Sequence, residues 1–117
     1  MELSELKERL SKFDRDDIKT TFHAGLRIKD KRRNINYNKI VDLLISQKEL
    51  YKCEEQKAKK NNELKFKLWF KLNFVYDMNV YIVFNRDERE EGLNKLEIIS
   101  AHKVKRKIQE RIRKNES

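Results

Sequence analysis

Proline is absent from this chain, cysteine occurs once, at Cys53, and glycine twice, at Gly25 and Gly92. With no proline and no Gly/Ser-rich tract, nothing in the composition marks a linker, and there are no internal repeats or low-complexity segments. A single cysteine allows neither an intramolecular disulfide nor a thiolate cage for a metal, which suits a reducing compartment. Two isolated glycines cannot build a phosphate-cradling loop, and no His or Cys residues are paired at metal-ligand spacing. Asp14, Asp16 and Asp17 fall in one exposed turn, where carboxylates serve capping and solubility far more often than magnesium. No metal and no cofactor are therefore expected. No apolar run approaches the ~20 residues of a membrane span, and the start, MELSELKERL, is charged and amphipathic rather than leader-like. A soluble, cytoplasmic protein without membrane association is expected.

What is abundant is charge. The 117 residues are 42% charged and 38% hydrophobic, enough apolar material for one modest core and hence a single domain over 1–117. The net charge of +9 favours polyanionic partners, namely nucleic acid or an acidic protein. Dense Lys, Arg and Glu can equally serve solubility or heat-tolerant ion-pair networks.

The most informative stretch is 64–73, LKFKLWFKLN. Leu64, Phe66, Leu68, Phe70 and Leu72 take alternate positions, with Lys65, Lys67, Trp69 and Lys71 between them. That period of two predicts a strand with one core face and one face of three lysines around a tryptophan. Leu3, Leu6, Leu10 and Phe13 predict an amphipathic N-terminal helix ending near Asp14 to Asp17. Residues 18–28 read as a short strand or turn leading into a helix with Leu26 and Ile28. A further helix is expected over 38–48, on Ile40, Val41, Leu43 and Leu44, capped by Asn36 or Asn38. Tyr51, Cys53 and Glu55 alternate as in an edge strand. A turn is expected at 77–79, then a strand over 80–84, a charged turn over 86–94, and a closing strand over 96–102. In that last strand simple alternation puts Leu96, Ile98, Ser100 and His102 on one side and Glu97, Ile99 and Ala101 on the other. Val104, Ile108 and Ile112 predict a basic C-terminal helix. The expected fold is α+β: a four-stranded antiparallel meander sheet with two N-terminal helices and a basic C-terminal helix.

His23 and His102 are the only side chains that ordinarily titrate near neutrality, so general acid–base chemistry at pH 7 falls to them most easily. RNA cleavage without metal needs a group to take the 2′-hydroxyl proton, cations for the phosphorane and an acid for the leaving oxygen. Arg27, Lys29, Lys31, Arg32 and Arg33 follow His23 closely, and the His23-to-Arg27 spacing places both on one face if the segment is helical. A packing or capping role for each histidine, and a solvated face for the basic cluster, stand beside this reading. Trp69, Tyr76 and Tyr81 among lysines resemble surfaces on which RNA bases stack while cations follow the phosphates, the alternative for Trp69 being a core place on the sheet's second face, under a helix.

The segment HAGLRIKDKRRNINYNKIVDLL, with His23, Ala24, Arg27, Arg33, Asn34 and Ile35 ahead of the Ile40 to Leu44 helix, is similar to the N-terminal signature of the RelE-like toxin and endoribonuclease superfamily. The likeness is to its branch with a His-Ala followed by two arginines. The closing LEIISAHKVKRK resembles that superfamily's last core strand, with His102 and Lys103 as the terminal pair. The resemblance spans about residues 20 to 107. It implies helices on a curved antiparallel sheet, RNA in a basic concavity and an acidic antitoxin-like partner. It would make the protein a metal-independent endoribonuclease, with His23 as base or acid, Arg27 and Arg33 stabilising the phosphorane, and His102 as a second proton-transfer group. Lys31, Arg32, Lys65, Lys67, Trp69, Lys71 and Lys103 would hold the strand. The alternative is a non-catalytic basic module, of a mobile element or regulatory system, that binds nucleic acid or an acidic partner. A third is a structural domain whose charge serves solubility.

Overall fold

Alternation along the chain becomes a five-stranded sheet with its described helices on one face. The computed structural model describes residues 2–20, 36–60, 63–85 and 96–106. In chain order these form α1 (Leu3–Leu10), a 3-10 turn (Arg15–Asp17), β1 (Ile18–Thr20), α2 (Tyr37–Ser46), β2 (Leu50–Gln56), β3 (Glu63–Lys71), β4 (Tyr76–Asn85) and β5 (Leu96–Lys105). The sheet order is β1-β5-β4-β3-β2. Strands β2 to β5 form an antiparallel meander, and β1 adds to β5 in parallel, with Ile18 opposite Leu96.

The expected four-stranded, wholly antiparallel sheet is thus corrected to a five-stranded mixed one, still α+β. The reason lies in β1. Its three residues are too few to show a period, and a parallel partner far along the chain leaves no local signature. What secures β1 is tertiary: Ile18 is buried in the core, and the Tyr37 hydroxyl at the start of α2 donates to the Ile18 carbonyl at 3.4 Å.

The core lies between the helices and one sheet face. Leu6 and Leu10 of α1 and Ile40, Val41, Leu43 and Leu44 of α2 pack on Phe66, Leu68, Phe70, Val80, Ile82, Leu96 and Ile98. These are the positions that alternation assigns to one side of β3 and β4. Phe66 stacks on Phe84 with centroids 5.5 Å apart, and the Arg9 guanidinium covers Phe84 at 4.4 Å. Helix α2 begins where its cap dictates: the Asn36 side chain accepts from the Asn38 N–H at 2.9 Å. It ends at Gln47, whose φ of 59° is the left-handed turn that points the chain into β2. The Asp17 carboxylate accepts from the Asp14 N–H, and Arg15 pairs with Asp42 of α2. Strand β2 is an outer strand, as its charge pattern predicts, with Glu54 and Glu55 exposed.

Three local expectations are corrected. The turn expected at 77–79 lies at 73–75, because the Asn73 side chain accepts from the Val75 and Tyr76 N–H groups at 2.9 and 2.8 Å. This Asx-type turn places Asp77 and Asn79 inside β4. Val104, expected in a C-terminal helix, belongs to β5. The side assignment in the closing strand also changes, through a bulge. Tyr81 pairs with Ser100 while Ile82 pairs with Ile98, so Ile99 is an extra residue. Beyond it the faces exchange: Ala101 joins Leu96 and Ile98 in the core, and Ser100 and His102 move to the other face. The remainder of the expected C-terminal helix, the helix with Leu26 and Ile28 and the 86–94 turn lie outside the described residues.

Candidate nucleic-acid interface

The sheet face opposite α1 and α2 can be built rung by rung from the strand register. One rung crosses the sheet as Lys52, Trp69, Asn79 and His102, and the next as Glu54, Lys67, Tyr81 and Ser100. Toward one end follow Gln56, Lys65, Val83 and Glu97, and toward the other Lys71, Asp77 and Val104. A bulge at Tyr51 lets both Tyr51 and Lys52 serve this face. Lys52, Lys65, Lys67 and Lys71 therefore share one surface with Glu54, Glu63 and Glu97, and with Asp77, which is buried.

Rings organise these cations. The Lys52 and Lys67 ammonium groups each lie 4.6 Å from the Trp69 ring centroid. Lys67 also approaches Tyr81 at 5.7 Å, and Lys71 lies 5.5 Å from the Tyr51 ring. A cation over a ring face is held by the ring quadrupole, worth about 0.5–1 kcal/mol where partly exposed. Each such contact removes rotamer freedom that a lysine would otherwise lose on binding a ligand. Trp69 itself is 4% exposed. It sits beneath ammonium groups, so it acts as a platform for lysines rather than as an open stacking surface.

Asp77 anchors the lower end of the face. Its carboxylate is wholly buried, accepts from the Tyr51 hydroxyl, and meets Arg106 through Nε at 3.0 Å and a terminal nitrogen at 2.9 Å. Arg106 also donates to the Asn73, Phe74 and Tyr76 carbonyls at 2.8, 3.3 and 3.5 Å, and its N–H to the Val75 carbonyl at 2.9 Å. One side chain thus neutralises the buried acid and fixes the β3–β4 hairpin.

At the upper rungs, a His102 ring nitrogen, Nε2, and the Ser100 hydroxyl are 2.7 Å apart, and the ring meets Tyr81 edge-on at 6.2 Å. His102 is thus on the lysine-bearing face, half-buried, with a cation-bearing ring beside it. Lys103 points the other way: it pairs with Met78 in register and its ammonium lies 4.4 Å over Tyr76. The structure therefore brings together Lys65, Lys67, Trp69, Lys71 and His102, and leaves Lys103 on the opposite face. His23, Arg27, Lys31, Arg32 and Arg33 lie outside the described residues. Lys52, Tyr51, Ser100, Asp77 and Arg106 join the site without having been singled out from sequence. Lys52 alone had a visible signal, its place in the alternation of β2.

Other chemistry finds little footing. Burial pushes the Cys53 thiol up from its ordinary value, so at neutral pH it is a thiol and not a nucleophile. Among the described residues, no three His, Cys, Asp or Glu side chains converge as metal ligands would, and no helix is long and apolar enough to cross a membrane.

Fold and face define a class: a basic α+β domain whose sheet offers ring-seated lysines on the side away from its described helices. No protein-family model, curated protein or solved structure matches the chain.

Proposed function

We propose that the protein is an RNA-binding module that holds RNA through its phosphates along this sheet face. The observation that carries the reading is the alignment of Lys52, Lys65, Lys67 and Lys71 on one surface, three of them with ammonium groups seated on aromatic rings. The net charge of +9 adds long-range attraction for a polyanion. An acidic antitoxin-like protein would compete for the same lysines.

Binding of a labelled single-stranded RNA should fall steeply with salt. If the four lysines each neutralise one phosphate, the log–log slope is about −3, at about −0.7 per contact on single strands. In the Lys65→Gln, Lys67→Gln, Lys71→Gln triple variant the slope should shrink by about 2 units. Anisotropy titrations across a series of KCl concentrations measure both. A wild-type slope near zero, or one unchanged in the triple variant, removes the proposal.

A second reading, metal-independent cleavage of the bound RNA as in a toxin-like endoribonuclease, is favoured by one observation: the β5 bulge turns His102 onto the lysine-bearing face. There the imidazole could exchange a proton with a ribose hydroxyl or leaving oxygen, the nearby ammonium groups offsetting phosphorane charge. Incubation with mixed RNAs in EDTA should then give products whose rate of appearance drops about 100-fold or more in His102→Ala. Absence of products, or a rate that His102→Ala leaves unchanged, assigns the face to binding alone.

A further inference from the structure

The hairpin joining β3 to β4 ends in Asn73, Phe74 and Val75. Phe74 is 100% exposed and Val75 52%. A single exposed apolar residue is ordinary on a protein surface and by itself means nothing. The backbone beneath this one is different. Asn73 Oδ1 accepts two N–H groups within the turn, the Tyr76 carbonyl accepts from the Leu72 and Asn73 N–H groups at 3.1 and 3.3 Å, and Arg106 fastens the Asn73, Phe74 and Val75 carbonyls to β5. The turn is determined several times over, yet the Phe74 side chain buries nothing. A ring held out on a fixed backbone has already met most of the ordering cost of binding.

The surroundings select the occupant. Lys71 ends β3 on one side of the hairpin, and on the other side Lys103 lies over Tyr76 while Lys105 pairs with Tyr76 in register, all three lysines exposed. Asp77, opposite Lys71, is buried and matched by Arg106, so it does not offset the surface charge. Exposed Glu49, whose carbonyl accepts the Lys71 N–H, stands beside Lys71, which leaves Lys103 and Lys105 as the pair unopposed in strand register among the described residues. An aromatic ring flanked by cations on both sides fits an unpaired nucleobase flanked by phosphates, since every base offers a π-face while its neighbours offer anions. A purely apolar pocket on a partner protein would gain nothing from the three lysines.

From this we infer that Phe74 is a base-stacking finger, and that the RNA recognised by the protein is single-stranded or looped rather than continuously paired. The inference rests on the RNA-binding reading and narrows its substrate. It also gives the exposed ring a role that buried Trp69 cannot fill.

The experiment uses the full chain and two fluorescent RNAs of equal length, one a fully paired duplex and one with an unpaired loop carrying 2-aminopurine. Phe74→Ala should weaken loop-RNA binding about tenfold and leave duplex affinity unchanged. Phe74→Trp should restore it, and 2-aminopurine emission should be quenched on binding by wild type and Phe74→Trp but not by Phe74→Ala. Urea unfolding should show Phe74→Ala as stable as wild type, since the ring packs on nothing. Loop RNA bound equally well by wild type and Phe74→Ala overturns the stacking finger and leaves the lysine face standing. Failure of both RNAs to bind wild type overturns the two readings together. A dimer that Phe74→Ala converts to monomer in sedimentation, with RNA affinity unaltered, overturns the inference in favour of self-association.

Discussion

Arg106→Ala should lower the free energy of unfolding by about 3 kcal/mol, at the lower end of the range for breaking a buried ion pair because the guanidinium is itself 27% exposed. The loss would come chiefly from Asp77, whose fully buried carboxylate would keep the Tyr51 hydroxyl but lose the Arg106 guanidinium. The Asn73, Phe74, Val75 and Tyr76 carbonyls would exchange guanidinium or strand contacts for water, at smaller cost because they lie near the surface. Asp77→Asn should lose less, about 1–2 kcal/mol, because an amide oxygen can still accept from Tyr51 and Arg106 without a charge to neutralise. Urea denaturation of both single variants and of the Asp77→Asn, Arg106→Ala double variant would measure the coupling by a double-mutant cycle. An Arg106→Ala loss below about 1 kcal/mol would mean that solvent already screens the pair.

Phe66→Ala should cost about 3–5 kcal/mol, the usual toll of truncating a buried aromatic and leaving a cavity. Phe66 is wholly buried, stacks on Phe84, and belongs to the core cluster that also holds Leu6, Leu10, Ile40 and Leu44. Against a typical stability of about 5–15 kcal/mol for a domain, that would leave the variant close to unfolding at growth temperature. Thermal and urea melts should show the shift together. Phe66→Leu, which keeps most of the volume, should recover more than half of it. If Phe66→Ala melted within a few degrees of wild type, the face assigned to the core of β3 would be wrong.

Much of this arrangement is written in local pattern. The alternation of Phe66, Leu68 and Phe70 against Lys65, Lys67 and Lys71 fixes both the strand and its faces, and the Ile40, Val41, Leu43, Leu44 spacing with Asn36 ahead of it fixes α2. What alternation could not reveal is any break in its own period. A single extra residue at Ile99 turns His102 from the core side to the lysine-bearing side, and nothing in LEIISAH marks where the ladder slips. Asp77 misled for a related reason. An acid beside Asn79 reads as turn chemistry, and only the distant Arg106 and Tyr51 make it a strand residue. The sequence left Trp69 open between a stacking face and core on the second face, and the structure buries it, with Lys52 and Lys67 from two strands over its ring.

The parallel rung between Ile18 and Leu96 brings the first strand against the last. During synthesis the meander β2-β3-β4 can form as it emerges, since each pairing closes only a short loop. β1 cannot pair until β5 has left the ribosome, although α1, which packs against β2, need not wait for it. Completion of the fold is thereby tied to completion of nearly the whole described chain. A product truncated ahead of Leu96 would leave the flank of β4 unpaired, and would be a target for proteolysis rather than a partly active protein.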